Sequence, residues 1–426
     1  MTPPRRTVLA GLASTLASTL AATVAATRAR ADAPCAPPVP ARVATGFDRL
    51  RADGYRLLAG HRVGLVANPT SVDRALCHIA DLLHAEPTVR LAAIFGPEHG
   101  FRGSAPAGAS EARTTDPATG ITVFDIYDKA GAPLDRILRE SGIDLLLFDI
   151  QDIGARFYTY AWTLHDVMQS CARLAIPVIV LDRPNPIGAV APSGPVLQPA
   201  FASFVGRAPI ALRHAMTMGE LALFFHRYSL AAPAAPPRVV AMRGWSRALF
   251  YDQTGLPWVA PSPNMPTLDT ALAYPGTCLF EGTVLSVGRG TAQPFLQLGG
   301  PEVDARPWVA ALRQAGLPGV LFRETWFTPS AQVDRDRLVH GLDLVVTDRR
   351  RFDPVATGLA LLHTARPLCR GAFWRADGHM FDLLCGTDAI RHAIDAGTGP
   401  ATIAAGWQAG LAAFARRRRD VLLYRS

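Results

Sequence analysis

The amino-acid sequence predicts an α/β protein: a mostly parallel sheet flanked by helices, followed by a smaller carboxyl-terminal α/β or α+β domain. Three observations carry this. Through the first half of the chain, short apolar runs of strand length alternate with stretches of helical spacing, as β-α-β units require. Those runs stop abruptly in polar or Gly/Pro-rich turns, as strands covered on both faces do. Past Pro186 the alternation gives way to irregular, proline-rich segments, and 426 residues exceed one ordinary core.

Residues 45–58 have helical spacing and lead into an apolar run at 61–67 that ends at Asn68-Pro69-Thr70. Residues 71–84 place Ile79, Leu82 and Leu83 on one helical stripe. The run 91–95 is a strand whose continuation is blocked by Gly96, Pro97, Gly100 and Gly103. Further strands are expected at 121–126, 143–148 and 176–181, and helices at 134–141 and 159–174. Residues 212–228 contain Thr217-Met218-Gly219-Glu220, a capping-box spacing, so Glu220 reads as a helix cap and not as a catalyst. An Ala/Pro run at 231–237 precedes a strand at 238–242, and signals fade after Pro301 before a helical close over 388–423. The resulting division is a leader at 1–31, a linker at 32–44, a first domain at 45–230 and a smaller one at 231–426.

A hydrophobic fraction of 49% against 18% charged residues marks a folded, globular chain. Of the formal charge of +8, Arg5, Arg6, Arg28 and Arg30 belong to the leader, so +8 − 4 = +4 remains without it. That argues against nucleic acid as a partner, and Arg416 to Arg419 read as a solvated helix face or helix C-terminus. The leader has a basic start, a weakly apolar middle and a small-residue cleavage site at Ala29-Arg30-Ala31, as export signals do. Its Arg5-Arg6 pair resembles a twin-arginine signal. Retention as a membrane anchor is the weaker alternative, because leucine is scarce and threonine repeated there. The expected location is periplasmic or secreted, without stable membrane insertion once the leader is gone. Cys35, Cys77, Cys171, Cys278, Cys369 and Cys385 are dispersed, with no C-x-x-C pair to suggest structural zinc or a redox dithiol. Cys369 with Cys385 is one pair that an oxidising compartment could join.

Polar groups stand just after the strands: Asn68, Glu98 with His99, Asp149 with Asp152, and Asp182 with Asn185. Parallel strands bring these ends to one edge, where open α/β sheets bind ligands. A shared cleft explains four such endings better than chance, although Asp and Asn are turn residues in their own right. The focus is LAAIFGPEHGFRG at 91–103, which presents Glu98, His99 and Arg102 together. Its plain alternative is a turn in which Glu98 merely accepts backbone N–H bonds.

The sequence has no G-x-x-x-x-G-K-[ST], no well-placed G-x-G-x-x-G, no H-E-x-x-H and no G-x-S-x-G. Nucleotide, dinucleotide, zinc-peptidase and serine-hydrolase chemistry lose support accordingly, and no cofactor is implied. Carboxylates, Asn, Arg and Tyr without a cofactor suit glycoside hydrolysis, in which two carboxyl groups flank the scissile bond and one donates a proton. Glu98, beside an apolar strand end and next to His99, is the candidate donor. Asp152, Asp149 and Glu281 are candidates for the second acid, and each could equally be an ion-pair partner or turn cap. Arg156, Tyr158 and Tyr160 are candidate ligand wall, unless they snorkel at a helix start. Asn68, Arg102, Asn185, Asn264 and Arg289 complete the candidate binding set. A metal held by Glu98, His99 and Asp152 is disfavoured, because no second histidine stands nearby at ligand spacing.

The blocks GLVANPTSV, IFGPEHGFRG, DLLLFDIQDIGARFYTY, LDRPNPIG, PSPNMPT and LFEGTVLSVGRGT resemble, in order, those of a bacterial family long described only as a domain of unknown function. That family is now represented by exo-β-N-acetylmuramidases of the NamZ type. The resemblance implies a Rossmann-like amino-terminal domain, a smaller carboxyl-terminal domain, an active site in the cleft between them, and release of terminal N-acetylmuramic acid from peptidoglycan fragments. Its proposed catalytic glutamate falls on Glu98. The chain departs from the family pattern at Val284, where Asn is common. The lactyl carboxylate of N-acetylmuramic acid calls for a cation, for which Arg102, Arg156 and Arg289 are available. Muramic-acid-containing glycan fragments are then the expected partners. Two other classes fit the same residues: a periplasmic muropeptide- or sugar-binding protein without hydrolysis, and a cell-wall amide or ester hydrolase.

Overall fold

The computed structural model describes residues 43–106, 108–231 and 235–425, all within one compact unit. The expected leader and the linker up to residue 42 lie outside the described residues. In chain order the first strands are β1 (Arg62–Ala67), β2 (Arg90–Gly96), β3 (Thr114–Thr115), β4 (Thr122–Asp125), β5 (Leu145–Asp149) and β6 (Val178–Leu181). A small antiparallel pair follows, β7 (Ser193–Val196) with β8 (Ala211–Arg213), and then β9 (Arg238–Val240). Seven of these form one sheet in the order β3-β4-β2-β1-β5-β6-β9, parallel throughout except where β3 meets β4. Leaving β3 aside and renumbering along the chain, the parallel strands stand 3-2-1-4-5-6. This is the Rossmann order.

Period-two alternation builds a core on each face of this sheet. Val66, Leu146, Phe148, Val178 and Val180 point to one side, and Val63, Leu65, Leu145, Leu147, Ile179 and Leu181 to the other. Gly64 is required in β1, since a Cβ there would lie 2.7 Å from both Phe95 and Ile143. The flanking helices are α1 (Gly46–Ala52), α2 (Ile79–Ala85), α3 (Ala132–Ser141), α4 (Tyr160–Leu174) and α5 (Met218–Tyr228).

Two of these are shorter than sequence spacing predicts, for local reasons. The chain leaves α1 through Gly54 and Tyr55 in left-handed conformations. Before α2, the Asp73 carboxylate accepts from the N–H groups of Ala75 and Cys77, holding a turn where helix is expected. Glu220 caps α5 reciprocally with Thr217, as its spacing predicts.

The smaller carboxyl-terminal domain contains α6 (Leu268–Thr277) and an antiparallel sheet of β10 (Gln297–Gly300), β11 (Val320–Phe327) and β12 (Val339–Val346), with β12 central. Helices α7 (Ala305–Ala315), α8 (Pro354–Ala365) and α9 (His379–Cys385) complete it. The expected helical tail is three helices, Ala389–Asp395, Pro400–Gly406 and Gln408–Arg419, broken where Gly397 takes a left-handed turn before Pro400. Both sheets share one core, in which Phe148 and Trp162 cluster with Trp308, Leu342 and Leu361.

The end of the chain returns to the first sheet. The Tyr424 hydroxyl donates to Asp182 just past β6, and the Leu423 N–H donates to Glu220 Oε1 at 2.8 Å. Glu220 pairs with Arg247. Arg418 is buried and donates to the carbonyls of Ala215 and Val190, both at 2.9 Å, so the arginine run is not wholly solvated. Burial, with the nearby charge of Glu220, pushes the Asp182 carboxyl up to about 7.

Cys171, Cys278, Cys369 and Cys385 are free thiols, so the Cys369–Cys385 pairing does not form. Cys385 is sealed in the core at the end of α9, whereas Cys369 is only half-buried. Cys77 is disulfide-bonded. Among the described residues no helix is long and apolar enough to cross a membrane.

Candidate active site

Strand β2 delivers its last residue, Gly96, to a turn that Pro97 cannot extend as strand. His99 and Gly100 then take left-handed conformations, and a Cβ on Gly100 would come within 2.5 Å of the Glu111 side chain. This reversal sets Glu98 beside the start of α4. Its Oε1 accepts the Gly108 N–H at 2.9 Å and its Oε2 accepts the Thr159 hydroxyl at 2.6 Å, with 15% of the side chain exposed. His99 Nδ1 lies 3.2 Å from the Ala105 carbonyl, which can only accept, so that nitrogen carries the hydrogen. Nε2 faces Glu98 Oε1 at 4.0 Å.

Glu98 and His99 line a cavity of about 390 Å³, within the ordinary size of small-ligand sites. Tyr127, Tyr158, Thr159 and Tyr160 contribute from the first domain, and Tyr274, Glu281, Arg289, Phe295, Gln332 and Arg375 from the rest of the chain. Aromatic rings make up one wall. Tyr158 stands edge-on to Tyr160 and Tyr274, with centroids 5.2 and 5.8 Å away, and Tyr274 meets Phe295 at 4.6 Å. The Tyr160 hydroxyl donates to the Pro261 carbonyl at 2.6 Å. Burial drives the phenols of Tyr158, Tyr160 and Tyr274 upward, and burial with the nearby Glu98 charge pushes Tyr127 up to about 12. These hydroxyls are proton donors at neutral pH.

The second carboxyl group in the cavity is Glu281. Its Oε1 accepts from Arg289 Nε at 2.6 Å and its Oε2 from the Cys278 thiol at 3.4 Å. Burial alone would lower the Arg289 pKa, but the adjoining Glu281 more than reverses this, and the guanidinium stays charged over the Phe295 ring, 4.8 Å from its centroid. Burial pushes the Cys278 thiol well up, so it is a donor and not a thiolate.

Of the sequence-selected residues, Glu98, His99, Tyr158, Tyr160, Glu281 and Arg289 meet in this cavity. The others lie outside it. Asn68 Oδ1 accepts from the Thr70 N–H and hydroxyl at 2.9 and 2.6 Å, closing a turn. Arg102 pairs with Asp81 and Asp116 at 2.7 and 2.9 Å. Arg156, wholly buried, donates to the carbonyls of Pro195, Ile210 and Leu384. Asn185 donates to the Met216 carbonyl at 2.9 Å. Asp152 accepts from the Gly154 N–H at 2.7 Å and sits 3.2 Å from His214 Nε2, apart from Glu98 and His99. Asp149 forms a buried ion pair with Arg183 at the end of β5, beside β1. That gap is the topological switch point where Rossmann sheets bind ligands, and here side chains fill it. Asn264 lies outside the cavity, whereas Ser262 lines it. Val284 is exposed and does not line it.

Sequence reasoning missed Tyr127, Thr159, Cys278, Gln332 and Arg375. Thr159 carried a usable signal, a hydroxyl residue at a helix start. Arg375 carried none, since it falls where periodicity is weak.

Residues 63–269 match the model described as exo-beta-N-acetylmuramidase NamZ, N-terminal, and residues 272–424 match its C-terminal counterpart. The chain is 42% identical over 384 residues to the peptidoglycan beta-N-acetylmuramidase NamZ of Bacillus subtilis (strain 168), covering 90% of this chain and 92% of that protein. Two crystal structures of DUF1343 family proteins from Bacteroides fragilis NCTC 9343 share the fold. One has a TM-score of 0.84 at 32% identity and covers 91% of this chain and 100% of its own. The other has a TM-score of 0.72 at 30% identity and covers 90% of this chain and 99% of its own. With the two family models together matching residues 63–269 and 272–424, the chain belongs to the NamZ family of exo-β-N-acetylmuramidases.

Proposed function

We propose that this protein releases terminal N-acetylmuramic acid from peptidoglycan fragments, with Glu98 as the general acid. The observation that carries the reading is the presence of two carboxyl groups, Glu98 and Glu281, in one aromatic-walled cavity. Glycoside hydrolysis needs such a pair, one to protonate the leaving oxygen and one to assist on the other side of the ring. Glu98 is anchored at both oxygens, and each keeps a second lone pair for a proton or for substrate. Glu281, steadied by Arg289, supplies the second carboxylate in this scheme, and Asp149 and Asp152 serve the fold. The NamZ relative from Bacillus subtilis, named for this activity and 42% identical, supports the substrate class. Peptidoglycan lies outside the cytoplasmic membrane, which agrees with the leader and its Arg5-Arg6 pair. Export therefore belongs to the same proposal.

The test is hydrolysis of a chromogenic β-N-acetylmuramide. Wild type releases the chromophore, and Glu98→Gln loses roughly 10²- to 10⁴-fold in kcat, as for removal of a general acid. A fully active Glu98→Gln removes Glu98 from its role. A wild type that binds the sugar without cleaving it points to a binding protein, and release of peptide or acyl groups from intact glycan points to an amide or ester hydrolase. Replacing Arg5 and Arg6 by Lys should trap the chain in the cytoplasm on fractionation.

A further inference from the structure

Only some of the guanidinium groups near the site are free to meet an anionic ligand. Arg102 and Arg156 are committed outside the cavity, and the charge of Arg289 is met by Glu281 at 2.6 Å. Arg375 differs. It is exposed and lines the cavity, no carboxylate among the described residues pairs with it, and its side chain reaches only the Glu281 carbonyl, at 3.4 Å.

The backbone holds this residue firmly. The Arg375 N–H donates to the Gly282 carbonyl and the Val284 N–H to the Phe373 carbonyl, both at 2.9 Å, which ties the segment to the one that carries Glu281. The Trp374 indole donates to the Asp395 carboxylate at 3.0 Å. Directly after Arg375, Ala376, Asp377 and Gly378 all take left-handed conformations, with φ of 44°, 55° and 88°. Two non-glycine residues in that region are unfavourable and persist only where surrounding structure imposes them. A strained, clamped loop therefore presents an unneutralised planar cation at the rim of a cavity whose other arginine already has its counter-ion.

We propose that Arg375 is the carboxylate subsite of this cavity and selects sugars bearing an acidic ether substituent, such as the lactyl group, over their uncharged counterparts. A guanidinium holds a carboxylate through two parallel N–H bonds, which gives direction as well as charge. The assignment rests on the muramidase reading for the sugar class, and it adds the residue that distinguishes the acid sugar from N-acetylglucosamine.

Two measurements test it. The first compares kcat/KM for a chromogenic β-N-acetylmuramide with that for its lactyl methyl ester. The wild-type preference for the acid should be about 10- to 100-fold, the span of a charged hydrogen bond. It should collapse to about one in Arg375→Ala and recover in part in Arg375→Lys. A preference that survives in Arg375→Ala overturns the proposal. The second is calorimetric titration with free N-acetylmuramic acid and with N-acetylglucosamine, which needs no hydrolysis. Tighter binding of the acid by wild type, lost in Arg375→Ala, supports the subsite even if no glycosidase activity is found. Equal binding of the two sugars by wild type overturns it.

Discussion

The Thr159 hydroxyl donates to Oε2 of Glu98 across 2.6 Å, so the residue that opens α4 fixes the side chain that follows β2. The two are 61 positions apart, and only the parallel sheet brings a strand end and a helix start together in this way. Thr159→Val should lower kcat/KM on a β-N-acetylmuramide by about 10- to 100-fold, the value of a hydrogen bond to a charged group. Thr159→Ser keeps the hydroxyl and should recover most of that loss. Equal activity in all three would show that the contact does not hold Glu98 for reaction.

Arg289→Met leaves Glu281 with the Cys278 thiol as its remaining side-chain partner. The pair is only partly shielded, with 13% and 21% of the side chains exposed. Its loss should therefore cost about 1–3 kcal/mol in denaturant unfolding, between the values for exposed and buried pairs. Activity should fall with it, and a double-mutant cycle with Glu281→Gln should show coupling.

Asp149→Asn separates an architectural carboxylate from a catalytic one. Removing one partner of the buried Asp149–Arg183 pair should destabilise the protein by about 3–5 kcal/mol. The kcat/KM of the folded fraction should stay within about twofold. A large fall in activity with unchanged stability would return Asp149 to the active site.

Asp182 makes stability depend on pH. Its folded pKa of about 7 lies above the ordinary 3.8, because burial and the Glu220 charge oppose ionisation. The folded state therefore holds this proton more tightly than the unfolded chain. The stabilisation is fully present below about pH 4 and is lost as pH rises through 7, at most about 4 kcal/mol at 1.36 per unit. Unfolding free energies between pH 4 and 8 should show this fall. Asp182→Asn should flatten it, and an unchanged slope would locate the effect elsewhere.

Thiol counting tests the cysteine chemistry. Alkylation of the unfolded, unreduced protein should label Cys171, Cys278, Cys369 and Cys385 and leave Cys77 unmodified. In the native state Cys369, the half-buried thiol, should react first, because Cys171 and Cys385 are buried in the core and Cys278, in the cavity wall, is held as the protonated thiol by its burial.

Much of the scaffold was legible because parallel strands advertise themselves. The runs at 91–95, 143–148 and 176–181 are β-rich, uninterrupted and stopped by turn residues, and each lies within two residues of an observed strand at both ends. The helix at 71–84 was overread, since periodicity does not reveal that the Asp73 side chain satisfies backbone donors in a turn. For the site, the sequence pointed to the edge of the sheet where Glu98 and His99 line the cavity but could not say which other polar endings face it. Asn68, Asp149, Asp152 and Asn185 look like ligand residues in one dimension and prove to be engaged with neighbouring turns and charges. Arg375 was invisible because its importance comes from what Arg289 lacks, a free charge, and pairing is a property of three dimensions.

Residues 418–424 reach back to groups buried around the end of β6, and a shortened chain would leave Asp182, Glu220 and Arg247 in the interior without several of their partners. The polar centre beneath the opening sheet is therefore completed by the last residues described, and Tyr424→Phe, which removes one of those donors, should lower the unfolding free energy. Splitting the protein into separately expressed halves should yield two insoluble pieces.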